Sequence, residues 1–98
     1  MSMLGIARKS GALLIGSKAA EEAIVSNRAR LIILCADAGN STKRNFRHLA
    51  EKCQVELVLF PSKIQLGKLI GVKEAAVVVL TEDSFAGRVK ELINSGGE

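Results

Sequence analysis

Gly16-Ser17-Lys18 is the step in this chain whose residue types and spacing suggest chemistry. It stands between a short apolar run and the start of an amphipathic stretch. A helix opening there presents backbone N–H groups that have no intrahelical acceptor. Gly16 has no side chain to hold an anion away from those amides. Lys18 adds a full charge beside the positive end of the helix dipole. Such a combination can clamp phosphate. Without a ligand, the same residues make an ordinary helix start, with Ser17 as the capping side chain and Lys18 as a solvated cation.

Other candidates are weaker. The string from Gly11 to Lys18 imitates a nucleotide-binding phosphate loop. That loop needs Gly-Lys-Ser/Thr, with the hydroxyl placed to reach magnesium. Here the last two residues are inverted, and Ala12-Leu13-Leu14-Ile15 reads as a strand rather than a loop. His48, the sole histidine, sits between Arg47 and Leu49 with no nucleophile or second base near it in sequence. It reads as a solvent-facing or boundary residue rather than a general base. Asp37 follows an apolar run without a neighbouring carboxylate, which suits a turn or a cap. Cys35 and Cys53 form no CxxC pair and read as small core residues in a reduced compartment. No metal-ligand spacing occurs, so no cofactor, metal or catalytic residue is expected.

The elements around these residues follow from periodicity. Met3, Leu4 and Ala7 share a helical face that Gly11 ends. Residues 12–15 form a short strand, and the helix opened by Ser17 buries Ala20, Ala23 and Ile24. Residues 30–36 are apolar on both faces, as in a central buried strand, and 37–41 form a loop. Phe46, Leu49, Ala50 and Cys53 mark the next helix, and residues 55–60 the next strand, stopped by Pro61. Ser62 with Gln65 is a capping-box pattern for a short helix that buries Leu66, Leu69 and Ile70 and ends near Gly71. Residues 75–80 give the last strand, and Phe85, Val89, Leu92 and Ile93 the last helix. The tail 95–98 is expected to fray. Helices between strands imply crossovers. The predicted fold is therefore α/β, a three-layer α/β/α sandwich with helices on both faces of a four-stranded, largely parallel sheet, in one domain spanning 1–98. That layering brings the 71–75 loop, with Val72, towards the Gly16 cluster.

Charge is unevenly spread. The chain of 98 residues carries a formal charge of +4. Residues 1–49 hold eight Lys/Arg against three acids, whereas 50–98 hold six against seven. This asymmetry favours a polyanionic partner. No Trp or Tyr is present, and Phe46, Phe60 and Phe85 fall at core positions. Stacking of splayed bases on an aromatic platform is therefore disfavoured. Any RNA would be read through backbone shape, phosphates and helix termini. No apolar run approaches the ~18 residues of a membrane span, and a cytoplasmic protein is expected.

Several segments resemble one family. Gly5-Ile6-Ala7-Arg8 with Gly11 and Gly16 comes first, then Ala29-Arg30-Leu31-Ile32-Ile33-Leu34 followed by Asp37-Ala38. Asn40-Ser41-Thr42-Lys43-Arg44, Ser62-Lys63, Leu66-Gly67, Ile70-Gly71 and Phe85-Ala86 complete the pattern. Together they are similar to the kink-turn-binding ribosomal proteins of the large subunit, and within that superfamily they most resemble the small bacterial YlxQ-type proteins. The resemblance implies a mixed four-stranded sheet between helices. It also implies a non-enzymatic protein, ribosome-associated, that binds structured RNA, ribosomal RNA in particular, at a kink-turn. Its RNA-binding glycine falls on Gly16, with Ser17, Lys18, Ala19 and Glu22 at the positions that follow, and its apolar contact loop falls on Val72, Lys73 and Glu74. Arg8, Lys9, Lys43 and Arg44 are further candidates for phosphate contacts. Ala19 and Glu22 replace polar and basic residues of other members. That keeps open a protein-interaction module on the same fold, or a stand-alone recognition domain related to RNA-modifying enzymes.

Overall fold

The structure, a computed structural model, describes residues 2–95. The elements run α1 (Met3–Lys9), β1 (Leu13–Ile15), α2 (Ser17–Val25), β2 (Leu31–Cys35), α3 (Asn40–Cys53), β3 (Leu57–Phe60), α4 (Lys63–Ile70), β4 (Val77–Leu80) and α5 (Asp83–Asn94). Ser95 closes α5 with its N–H on the Glu91 carbonyl, and the rest of the expected tail, 96–98, lies outside the described residues. Among the described residues no helix is long and apolar enough to cross a membrane.

The strands lie in the order β1-β4-β2-β3. Side chains on a strand alternate between faces. In β2, Leu31, Ile33 and Cys35 enter one core while Ile32 and Leu34 enter the other. In β4, Val78 and Leu80 oppose Val77 and Val79 in the same way. The first core is closed by α1, α4 and α5 through Leu4, Ala7, Leu66, Ile70 and Val89. The second is closed by α2 and α3 through Ala23, Ile24, Phe46 and Leu49. Each fully buried Leu, Ile or Val contributes about 1.5–3 kcal/mol, so both central strands are held from above and below. This is the three-layer sandwich, with a mixed sheet.

The expectation of a largely parallel sheet is corrected. Only β2 and β3 pair in parallel; β4 is antiparallel to both β1 and β2. The helix-linked strands β1, β2 and β3 do point the same way, as crossovers require. After α4 the chain returns through residues 71–76 before β4 begins, so β4 enters reversed. Its place between β1 and β2 makes two of the three pairings antiparallel.

Candidate nucleic-acid interface

The carboxyl ends of β1, β2 and β3 share one end of the sheet, and α2, α3 and α4 each begin there. The end of the 71–76 segment joins them. Gly16 N–H donates to the Val77 carbonyl at 3.1 Å, and Cys35 N–H donates to that of Ala76 at 2.8 Å. Ligands of open α/β sheets bind at such strand ends.

The three helix tips are not equivalent. At α4, Ser62 Oγ accepts from Gln65 N–H, as the capping pattern predicts. The Asp37 carboxylate also accepts from Lys63 N–H at 3.0 Å, so Asp37 serves as a cap across the chain. The α4 tip is thus taken. The α2 and α3 tips have glycine N-caps, Gly16 and Gly39, with no side-chain cap and no acid in the first turn. Their first amides are left for an outside acceptor. At the far end of the sheet, α5 also lacks a side-chain cap, but Asp83 already places negative charge in its first turn.

Ser17 is not the cap that residue preference suggested. It is the first residue of α2, and Gly16 holds the cap position with φ +99° and ψ 157°. Ser17 and Lys18 are exposed, while Gly16 and Ala19 are half-buried. Lys18 forms no hydrogen bond or ion pair among the described residues. A shallow groove on the outer face of α2 runs from Ser17 and Lys18 past Glu21 and Glu22 to Val25. Its two carboxylates repel anions, so a phosphate is favoured at the tip of the helix and not along its flank.

The second predicted cluster meets the first only in part. Residues 75–77 reach Gly16 and Cys35, whereas Val72 is half-buried against the core between α1, α4 and α5. Lys73 and Glu74 are exposed. Their backbone lies over Gly67, where a Cβ would come within 2.7 Å of Glu74 Cα. Gly67 therefore seats this loop; in the sequence it stood out only as part of the family pattern. Cys35 holds the loop's far end, its thiol donating to the Ala75 carbonyl at 3.2 Å. Burial, and then Asp37 nearby, push that thiol up from 9.0 to about 11.

The further candidates separate. Arg44 is exposed in the first turn and a half of α3. Lys43 Nζ donates to the Ala36 carbonyl at 3.1 Å, at the same end of the sheet. Arg8 and Lys9 belong to the end of α1 that leads into the start of β1, away from Gly16. Arg8 Nη1 donates to the Ile70 carbonyl at 2.6 Å and so closes the carboxyl end of α4. His48 is exposed on α3. The phosphate-loop imitation is removed outright, because Leu13–Ile15 pairs with β4 as a strand.

Fold and site together define a three-layer α/β/α module with two uncapped helix tips and unpaired cations at one end of a mixed sheet. The chain belongs to the Ribosomal protein L7Ae/L30e/S12e/Gadd45 family, which it matches over residues 1–90. It is similar to the RNA-binding protein YlxQ of Enterococcus faecium, 26% identical over 93 residues, covering 95% of this chain and 89% of that protein. The RNA-binding protein YlxQ of Bacillus subtilis (strain 168) is 26% identical over 92 residues, covering 94% and 92% respectively. Among solved structures, a protein with unknown function from Bacillus halodurans C superposes with a TM-score of 0.90 at 27% identity, over 94% of this chain and 93% of that one. The Giardia lamblia 15.5kD RNA binding protein has the same fold, with a TM-score of 0.78 at 22% identity, over 95% and 80%. The likeness to YlxQ-type proteins read from the residues is thus borne out.

Proposed function

We propose that this protein binds structured RNA without catalysis, as a single module, and grips a kink-turn-like bend at the carboxyl ends of its strands. The observation that carries the reading is the pair of uncapped, acid-free helix tips at Gly16 and Gly39, opening at one end of the sheet in a chain of this family. The likeness to the two RNA-binding YlxQ proteins supports the ligand class. Gly16 lets a phosphate approach the first amides of α2, Ser17 adds a hydroxyl donor, and Lys18 supplies charge. Ala19 offers no polar atom to a base edge, so recognition rests on backbone shape. Val72 gives a bulged base the exposed part of its side chain, and Lys73 borders it. A ribosomal RNA is the expected partner.

A gel shift with a kink-turn RNA beside a straight duplex of equal length tests the reading. The kink-turn should bind at least tenfold more tightly. Lys18→Ala should weaken binding and lower the salt slope by about one. Equal affinity for the two RNAs would reduce the site to general polyanion attraction and refute bend recognition.

A further inference from the structure

Helix α3 carries four cations, Lys43, Arg44, Arg47 and Lys52, against one acid, Glu51. Its net +3 is most of the chain's formal +4. On α2, Lys18 faces Glu21 and Glu22, and on α5 the cations Arg88 and Lys90 are balanced by Asp83 and Glu91. Arg44, His48 and Lys52 follow one another at four-residue steps, which stacks them in a row along one face, with Arg47 beside it. All four are exposed. The ion pairs among the described residues lie elsewhere, joining Arg30 to Asp83 and Lys90 to Glu56. Phe46, Leu49 and Ala50 bury the opposite face, so the row is fixed towards solvent.

The row starts at Arg44, little more than one turn past the uncapped Gly39 tip beside the proposed clamp. From Arg44 to Lys52 it leads away for about 12 Å, the rise of eight helical steps. Helix α2 lies alongside on the same face of the sheet, tied to α3 by Asn45 Nδ2 donating to Glu21 Oε2 at 3.4 Å. A polyanion leaving the α2 tip therefore meets carboxylates along α2 and cations along α3. We propose that α3 is a second binding surface, a rail for the phosphates of one RNA stem leaving the bend, contacted by Arg44, Arg47 and Lys52. This rests on the function proposed above. The rail adds sequence-independent affinity, while the clamp supplies selectivity for the bend.

The test compares the wild type with the double variant Arg47→Gln, Lys52→Gln, which changes the two row cations that lie outside the proposed clamp. Glutamine keeps helix propensity, and thermal unfolding checks that the fold is retained. Both proteins are titrated over a salt series with a kink-turn RNA carrying long stems, the same RNA with stems cut back to the bend, and a straight duplex. The double variant should lose at least fivefold in affinity for the long-stem RNA and lower its salt slope by about two. It should bind the short-stem RNA within about twofold of wild type and keep the preference for bent over straight RNA. Glu51→Gln, which removes the row's acid, should tighten the long-stem complex. An unchanged slope on long-stem RNA overturns the rail, as does an equal loss on the short-stem RNA. Loss of binding to an acidic polypeptide with RNA affinity intact overturns it too, and assigns α3 to a protein partner. A wild type with no preference for bent RNA defeats the clamp instead, a result read independently of the double variant.

Discussion

Gly16 is held at φ +99° and ψ 157°, a corner of backbone space that is essentially closed to residues with a side chain. No atom lies within 4 Å of where its Cβ would stand. Gly16→Ala therefore costs strain and not collision, about 1–3 kcal/mol. Chemical denaturation should report that loss, and affinity for kink-turn RNA should fall at least tenfold as the first turn of α2 shifts. Full stability in the variant would mean the backbone there is not constrained. Cys35 gives a pH-dependent counterpart. Its folded thiol titrates at about 11 instead of 9.0. Between those values the unfolded chain releases a proton that the folded chain keeps, so stability falls as pH rises from 9 to 11. Below 9 both states hold the proton and the effect vanishes. The loss is on the order of 2–3 kcal/mol at most. The chain has no tyrosine to titrate in that window. Cys35→Ala should flatten the alkaline decline in denaturation midpoints, and an unaltered decline would show that this thiol does not cause it.

At the scale of elements, the loop before β4 depends on one missing methyl. A Cβ on Gly67 would approach Glu74 Cα at 2.7 Å, Glu74 N at 2.8 Å and the Lys73 carbonyl oxygen at 2.9 Å, all backbone atoms that cannot rotate aside. Gly67→Ala should destabilise the fold by about 1–3 kcal/mol and weaken RNA binding by displacing residues 73–76. Ser62→Ala is the control. It removes a cap worth about 1 kcal/mol at a helix tip already engaged by Asp37, so RNA affinity should hold. Comparable RNA affinities for the two variants would detach the loop from the site. These elements also show what a sequence can disclose. The unbroken apolar run of β2 and the stripes Ala20-Ala23-Ile24 and Phe46-Leu49-Ala50-Cys53 are readable, because a strand buried on both faces has no polar position and a helix buried on one face has a period. The direction of β4 is not, because an apolar run buried on both faces looks the same whichever way it runs. Ser17 read as a cap because serine is a favoured N-cap type, and type says nothing of the φ that made Gly16 the cap. Gly67 carries no composition signal at all, since its role lies in a contact with residues seven positions on.

At the scale of the whole molecule, the proposed clamp exists only when distant segments meet: residues 16–19, 36–44 and 75–77, brought together by the insertion of β4 between β1 and β2. The sequence shows the excess of positive charge in its first half, but which end of the sheet gathers the uncapped tips depends on strand order. An unfolded chain keeps its cations and loses that convergence. Structured RNA should therefore bind the native state in preference, and the linkage is quantitative: a ligand at one hundred times its dissociation constant stabilises by about 2.7 kcal/mol. For a chain near one hundred residues, each kcal/mol moves the unfolding midpoint by roughly 4–8 °C. Saturating kink-turn RNA should thus raise the midpoint by about 10 °C or more. Straight duplex at the same concentration should raise it far less, and Lys18→Ala should diminish the rise. A saturated gel shift with no thermal stabilisation would mean that the RNA holds the unfolded chain equally well. Binding would then reside in a local basic segment and not in the assembled end of the sheet.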